Sequence, residues 1–255
     1  MIDVQNQADN RNIKIRQTGI AGVYLPMIIF NQNVLAKIKF TVALSEKVRG
    51  THMSRLSEIL TDHANKPTEI FDLKKILSEA IDKLETDFAA IEIAFKFFVN
   101  KIAPVSARES LLDVDCKFIA ELAKNSEMKF ILALKIPFTS LCPCSKEISD
   151  FGAHNQRSIC KVRLEFKNIS DIKIFDLIDL IENQGSAKIY PVLKREDEKF
   201  VTEAAYQNPK FVEDILRDVV IALRGDKNIS AFEIECENFE SIHNHSAFAY
   251  HKEIC

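Results

Sequence analysis

The sequence 20-IAGVYLPMIIFNQNVLAKIKFTVAL-44 contains the clearest strand pattern in the chain. In residues 34–44 apolar side chains occupy every second position, which is the period of a strand with one buried face. An apolar run, residues 20–30, comes before it, and the polar residues Asn31, Gln32 and Asn33 separate the two. Two strands joined by such a short polar connection form a hairpin. The stretch therefore predicts an antiparallel sheet.

The rest of the chain continues this pattern. Apolar residues recur at helical spacing in residues 53–60 and 73–84, and alternation returns in residues 91–99 and 112–120. The second half repeats the order, with strands near 128–138 and 157–167, helices at 174–181 and 209–223, and strands near 230–239 and 246–251. Asn208 and Pro209 predict the start of the last helix, and Gly225 its end.

This order predicts an α+β fold made of a tandem pair of β-β-α-α-β-β units, each an antiparallel sheet with a helix pair on one face. We place an N-terminal arm at residues 1–18, the first unit at 19–125 and the second at 126–255. The exposed sheet edges and apolar strand residues such as Phe95 and Phe97 predict a homo-oligomer.

Composition excludes several classes of protein. The 255 residues include 34 basic and 37 acidic side chains, so the chain has no general basic surface for nucleic acid and no polybasic membrane tail. The N-terminus is polar, and no run approaches the ~18 apolar residues of a membrane-spanning helix. The six cysteines are scattered, which is typical of reduced thiols. We therefore expect a cytoplasmic protein without a membrane or nucleic-acid partner.

Metal-capable side chains concentrate in residues 137–158, PFTSLCPCSKEISDFGAHNQRS, which lie between two predicted strands. Pro143 cannot continue a central strand, so Cys142 and Cys144 project from a loop. The alternative is that these cysteines are small buried apolar residues, as free cysteines often are. The polar neighbours favour a reactive or metal-binding role.

A thiolate from Cys142 or Cys144, the imidazole of His154 and a carboxylate from Glu196 or Glu198 would form a three-ligand site. Three ligands with an open fourth position are typical of catalytic metal centres. The mixed sulfur, nitrogen and oxygen donors admit Zn²⁺, Fe²⁺ or Mn²⁺. The charged run around Glu196 could equally be solvated surface.

A second candidate group lies in residues 240–245, Glu-Ser-Ile-His-Asn-His. His243 and His245 fall where a strand is predicted to begin, and residues two apart on a strand face the same way. Both rings could then line one pocket beside Glu240. The alternative is a solvated pair of histidines in a turn.

Taken together, these motifs resemble the GTP cyclohydrolase IB family over nearly the whole chain. The resemblance is carried by DVQ at 3–5, RGTHMSR at 49–55, TSLCPCSKEIS at 139–149, GAHNQRS at 152–158, KREDEK at 194–199, NPKFVED at 208–214 and SIHNHSA at 241–247. It implies the tunnelling fold, in which such units assemble into barrels with active sites at subunit interfaces, and it favours a tetramer.

The resemblance also implies an activity, the metal-dependent hydrolysis of GTP to 7,8-dihydroneopterin triphosphate and formate in folate and pterin synthesis. It implies metal ligation by Cys142, His154 and Glu196, with Cys142 also catalytic. Water activated by the metal would attack C8 of GTP. His243 and His245, with Glu240 in the same turn, would handle protons.

The resemblance further implies that Glu213 holds the guanine edge. A carboxylate accepts the adjacent N1–H and N2–H₂ donors as a pair, and a position in the first helical turn favours its ionised form. The alternative is an i,i+4 pair with Arg217, worth about 0.2 to 0.5 kcal/mol. Because the chain is nearly neutral, the triphosphate needs a local group of cations, for which we propose Arg49, His52 and Arg55.

Two other functions fit parts of the pattern. A tunnelling-fold nitrile reductase would use a cysteine nucleophile and a nicotinamide cofactor on a deazaguanine. A non-catalytic binding protein would use the polar loops only as contacts. Metal content separates the first alternative from a cyclohydrolase, and formate release from GTP excludes the second.

Overall fold

The structure is a computed structural model that describes residues 4–64, 66–70 and 72–255. Eight strands follow one another in an antiparallel sheet whose order is the order of the chain. They are β1 (Ile15–Ile29), β2 (Gln32–Leu44), β3 (Phe88–Ile102), β4 (Glu109–Ala123), β5 (Lys129–Leu141), β6 (Asn155–Phe166), β7 (Ile229–Asn238) and β8 (Ala247–Ile254). The antiparallel α+β class predicted from the sequence is confirmed.

The first hairpin has a tighter turn than the sequence predicted. Ile29 pairs with Gln32, so Phe30 and Asn31 alone form the turn, and both have positive φ (47° and 61°). Two consecutive left-handed residues match the right-handed twist of the flanking strands.

The helices are α1 (Met53–His63), α2 (Asp72–Lys83), α3 (Pro143–Ile148), α4 (Ile174–Glu182), α5 (Arg195–Gln207) and α6 (Val212–Arg224), with a short 3₁₀ turn at Ile169–Asp171. The first half therefore has the predicted β-β-α-α-β-β order. The second half has the predicted strands, but α3 and α5 are additional helices.

Two compact units divide the chain. The first contains the residues up to Lys96 together with Lys117–Ile131, and its core has Phe118 packed edge-on against Phe30, Phe95 and Phe130 at ring-centroid distances of 5.9, 5.1 and 5.5 Å. The second contains Phe97–Cys116 and Leu132–Cys255, and in it α6 packs on β7 and β8. The predicted boundaries at residues 18 and 125 stay predictions.

Phe95 and Phe97 are buried within the single chain, with 5% and 0% of their surface exposed. They are core residues, so the expectation that they help to form an oligomer surface is wrong. In the part of the chain that the structure describes, no helix is both long and apolar enough to cross a membrane.

Two sequence predictions in the second unit need correction. The sequence predicts no helix between residues 181 and 209, but α5 occupies Arg195–Gln207. The last helix begins at Val212, and Asn208 ends α5 instead of capping α6. The Asp214 side chain caps the start of α6, because its carboxylate accepts from the Phe211 backbone N–H at 3.1 Å.

Candidate active site

The loop between β5 and β6 is closed at its base by one backbone hydrogen bond, from the Cys142 N–H to the His154 carbonyl at 3.1 Å. Cys142 caps the short helix α3, and its Sγ accepts from the Ser145 N–H at 3.5 Å. The Ser145 hydroxyl in turn accepts from the His154 N–H at 3.2 Å. Cys142 is half-buried and Cys144 is exposed. Of the two thiols, Cys142 is therefore the one held beside His154.

A buried polar network fixes the ring of His154. Its Nδ1 lies 2.9 Å from Oε1 of Gln156, and Nε2 of Gln156 donates to the Ser140 hydroxyl at 2.8 Å. The Ser158 hydroxyl also donates to Ser140 at 2.8 Å. Because the Gln156 amide oxygen can only accept, Nδ1 of His154 carries the hydrogen. In the neutral ring this tautomer places the lone pair on Nε2, the atom that would face a metal.

The turn before β8 approaches the same histidine. Oε2 of Glu240 lies 3.8 Å and the Ser241 hydroxyl 3.5 Å from Nδ1 of His154. His243 and His245 are exposed, and their rings stack at a centroid distance of 5.1 Å with an interplanar angle of 15°. The strand begins only at Ala247, so the prediction that the two histidines start a strand is wrong. Their rings nevertheless lie side by side.

Glu196 belongs to the start of α5 in the second unit. It is exposed in the first turn of α5 and lines a cavity of about 490 Å³ with Ser106, Arg108, Lys194 and Arg195. Among the described residues, no group of three or more His, Cys, Asp or Glu side chains is close enough to hold a metal ion. Cys142 and His154 suit a metal by chemistry and position, but Glu196 does not join them within one chain. The three-ligand set stays a prediction.

Glu213 is exposed in the first turn of α6. The segment leading into this helix lies against the end of β5, because the Lys210 N–H donates to the Leu141 carbonyl, one residue before Cys142, at 3.0 Å. Arg217 pairs with Asp214 at 3.2 Å and not with Glu213, so the alternative role for Glu213 as its partner is not the one formed here.

The cations predicted to hold a triphosphate lie in the first unit. His52 and Arg55 line a cavity of about 480 Å³, whereas Arg49 does not line it and donates to the Gln7 side chain at 3.0 Å. Arg55 donates through Nη1 to the Lys83 carbonyl at 2.7 Å. Their role in phosphate binding stays a prediction.

Asp197 is not among the site residues predicted from the sequence, and it has no exposed surface. Its Oδ1 accepts from the Val105 and Ser106 N–H groups at 2.9 and 2.8 Å, and its Oδ2 accepts from the Ser106 hydroxyl at 2.6 Å and the Lys194 N–H at 2.8 Å. Burial alone would raise the pKa of Asp197, but these donors, led by Ser106, hold it well below the usual range. The acid at the third helical position was the available signal, since such residues close capping boxes.

Solved structures of similar shape define the class of fold. The uricase from Bacillus fastidious matches with a TM-score of 0.60 over 96% of this chain and 94% of that chain, at 9% identity. The uricase from Arthrobacter globiformis matches with a TM-score of 0.56 over 94% of this chain and 93% of that one, at 8% identity. The fold is therefore that of the tunnelling-fold proteins.

Sequence comparison identifies the family. The family model "Type I GTP cyclohydrolase folE2" matches residues 1–249. Relatives named GTP cyclohydrolase FolE2 include that of Geotalea uraniireducens, 46% identical over 98% of this chain and 92% of that protein, and that of Syntrophobacter fumaroxidans, 41% identical over 98% of both. The chain belongs to the FolE2 family of type I GTP cyclohydrolases, which confirms the resemblance seen in its motifs.

Proposed function

We propose that this chain is a metal-dependent GTP cyclohydrolase of type IB, which hydrolyses GTP to 7,8-dihydroneopterin triphosphate and formate at the start of folate synthesis. Family membership supports the reaction. The observation that supports the site is the Cys142–His154 backbone hydrogen bond, together with the polar network that directs the Gln156 amide oxygen at Nδ1 of His154. The free thiols of all six cysteines support a cytoplasmic location.

Cys142 and His154 would hold Mn²⁺, Fe²⁺ or Zn²⁺, with Glu196 as the third ligand. Such an ion would supply Lewis acidity and lower the pKa of water. Since Glu196 is exposed on a separate cavity, we propose that it reaches the other two ligands from a second copy of the chain. The homo-oligomer, which the resemblance favours as a tetramer, is then a requirement of the site.

The remaining residues would act on the substrate. Glu213 would accept both donors of the guanine edge. His243 and His245, with Glu240, would move protons as the imidazole ring of GTP opens and formate leaves. Arg49, His52 and Arg55 remain our proposal for contacts with the triphosphate.

The direct test measures formate released from GTP. Protein purified without oxygen and stripped of metal should be inactive and should recover with at least one of Mn²⁺, Fe²⁺ and Zn²⁺. Absence of formate with all three metals would refute the proposal. Consumption of a reduced nicotinamide with a deazaguanine nitrile would instead support the reductase.

Mixing inactive variants tests the shared site. Subunits carrying Cys142→Ala and subunits carrying Glu196→Ala should regain activity after co-refolding, because some contacts between copies then contain one intact set of ligands. Cys142→Ala mixed with His154→Ala is the matched control and should stay inactive, since both ligands come from the same chain. Equal recovery or equal inactivity in the two mixtures would refute a ligand supplied by a second copy.

A further inference from the structure

A group of hydrogen bonds centred on the Asp197 carboxylate joins the start of α5 to the β3–β4 connection, and we call it the α5 clamp. Its donors come from Val105, Ser106 and Lys194. We propose that the α5 clamp positions Glu196, which makes Asp197 and Ser106 positioning residues for the metal centre. The metal-binding role of Glu196 rests on the proposed function, whereas the clamp itself is a feature of the fold.

The α5 clamp connects segments that are far apart in sequence. Its four donors lie 2.6 to 2.9 Å from the Asp197 carboxylate oxygens, and Val105 and Ser106 are 92 and 91 positions away from Asp197. Hydrogen bonds to a charged acceptor are stronger than those between neutral groups, and burial strengthens them further. Because Asp197 has no exposed surface, the β3–β4 connection is firmly tied to the first turn of α5.

The α5 clamp is also the main anchor of the first half of this helix. Of the thirteen residues of α5, all of which the structure describes, only Asp197 and Ala205 are buried. Ala205 lies eight residues further on, which is about two helical turns. The direct neighbours of Asp197, Glu196 and Glu198, are exposed. The position of Glu196 therefore depends on Asp197 and on the donors that hold it.

The backbone on the other side of the clamp is strained. Ala107, which follows Ser106, has a φ of 54°, a value that a residue with a side chain rarely adopts. Such strain persists only where the surrounding contacts hold it, and it occurs preferentially at functional sites. Ser106 itself lines the same cavity as Glu196. The clamp thus holds two walls of that cavity in a fixed relation.

The capping of α5 does not require so many contacts. A capping box needs one hydrogen bond from the cap N–H to the acid at the third helical position, which is the bond from Lys194 to Asp197. The three bonds from Val105 and Ser106 are additional. Burying a charge is unfavourable unless it is fully paired, and an apolar side chain could pack the helix without that cost. The extra bonds are explained by a need to fix the residue next to Asp197.

The Zn²⁺ affinity of the full-length protein tests this proposal without GTP, by competition with a chromophoric chelator at one protein concentration. Ser106→Ala and Asp197→Asn should each weaken Zn²⁺ binding about ten- to a hundredfold, the usual loss when a group that orients a ligand is removed. Ser106→Thr keeps the hydroxyl and should bind nearly as tightly as wild type. Thr202→Ala removes an exposed hydroxyl from the same helix and is the matched control, which should bind like wild type.

Combining Ser106→Ala with Glu196→Ala separates positioning from a general effect on the fold. Glu196→Ala alone should weaken Zn²⁺ binding, because it removes a proposed ligand. If Ser106 acts through Glu196, the double variant should bind no more weakly than Glu196→Ala. A further loss in the double variant would overturn the proposal. Unchanged affinity in Glu196→Ala, unchanged affinity in both Ser106→Ala and Asp197→Asn, or a smaller oligomer of Ser106→Ala in sedimentation would also overturn it.

Formate release from GTP by wild type distinguishes the failure of this proposal from the failure of the proposed function. Zn²⁺ binding that depends on Ser106 through Glu196, in a protein that releases no formate with any of the three metals, would support the α5 clamp and refute the cyclohydrolase. Formate release together with unchanged Zn²⁺ affinity in Ser106→Ala and Asp197→Asn would support the cyclohydrolase and overturn the positioning role.

Discussion

Lys101 on β3 and Glu182 at the end of α4 form a buried ion pair, and its contribution to the stability of the second unit can be measured. Only 9% and 2% of the two side chains are exposed. The Lys101 ammonium donates to Oε2 of Glu182 and lies 5.1 Å from the centre of the Tyr190 ring. Oε1 of Glu182 is buried and has no hydrogen-bond partner among the described residues. We predict that Lys101→Met strongly destabilises the fold.

The expected loss of unfolding free energy follows from the burial of the Lys101–Glu182 pair. Removing one partner leaves the other as an uncompensated buried charge, which costs about 3 to 5 kcal/mol of unfolding free energy. Removing both partners with Lys101→Met and Glu182→Leu should cost much less, on the order of 1 kcal/mol or below, because apolar side chains of similar volume can replace the pair. The two substitutions should therefore be strongly non-additive.

The pKa of Glu182 determines how the stability of Lys101→Met should change with pH. Burial raises the pKa of Glu182 despite the opposing effect of Lys101. Removing Lys101 should raise this pKa further. A carboxyl group with a raised folded-state pKa contributes most stability below its unfolded value of 4.5 and loses it as the pH rises. Lys101→Met should thus regain stability relative to wild type on acidification.

Urea unfolding followed by circular dichroism, at one fixed protein concentration, gives all four free energies of the cycle. A loss below about 1 kcal/mol for either single substitution would show that the pair is solvated, as exposed pairs are. Additive losses in the double variant would likewise refute the buried-pair argument.

Three further predictions concern the site and its surroundings. Cys142→Ala should abolish metal binding, measured by elemental analysis, whereas Cys144→Ala should retain most of it; equal loss in both would contradict the choice of Cys142. Glu213→Gln should weaken GTP binding by about 1.5 to 3 kcal/mol in calorimetry with metal content unchanged, because an amide NH₂ would face the guanine donors. Arg224 holds the pKa of Glu253 at about 2, so this carboxylate stabilises the fold above pH 4.5 and loses that contribution as the pH falls towards 2. Arg224→Gln should therefore lower Tm at neutral pH and flatten its decrease in acid, and an unchanged acid profile would contradict this.

The strands were predictable from the sequence because each buries one face, which leaves an alternating pattern. Helix α5 was not predictable in this way, because only Asp197 and Ala205 of its thirteen residues are buried. A helix without an apolar stripe has no helical period in its hydrophobicity. It is held instead by polar contacts such as those of Asp197 with Val105 and Ser106, which connect residues 91 or more positions apart and leave no local signal.

The residues of the candidate site also differ in how far the sequence predicts their neighbours. The closed loop from Cys142 to His154 could be predicted, because its residues are close in sequence. The neighbours of Glu196 could not, because sequence spacing does not determine which segments meet at the start of α5. The Asn208–Pro209 signal was similarly misleading, because both residues suit a helix start but Asn208 ends α5. Helix α6 begins at Val212, where the Asp214 carboxylate accepts from the Phe211 N–H.

The buried polar side chains next to His154 are explained by the candidate site and not by the stability of the second unit. Ser140 and Ser158 have no exposed surface and Gln156 has only 8%, so they occupy positions where β5 and β6 otherwise bury apolar residues. Burying a polar group costs free energy unless it is hydrogen-bonded, and even a satisfied group contributes less than a well-packed apolar side chain. The three side chains satisfy one another and direct one acceptor, Oε1 of Gln156, at Nδ1 of His154. Apolar side chains at these three positions would leave Nδ1 of His154 without the Gln156 acceptor that orients the ring. The network is therefore best explained by the need to hold the imidazole of His154 in one orientation beside Cys142.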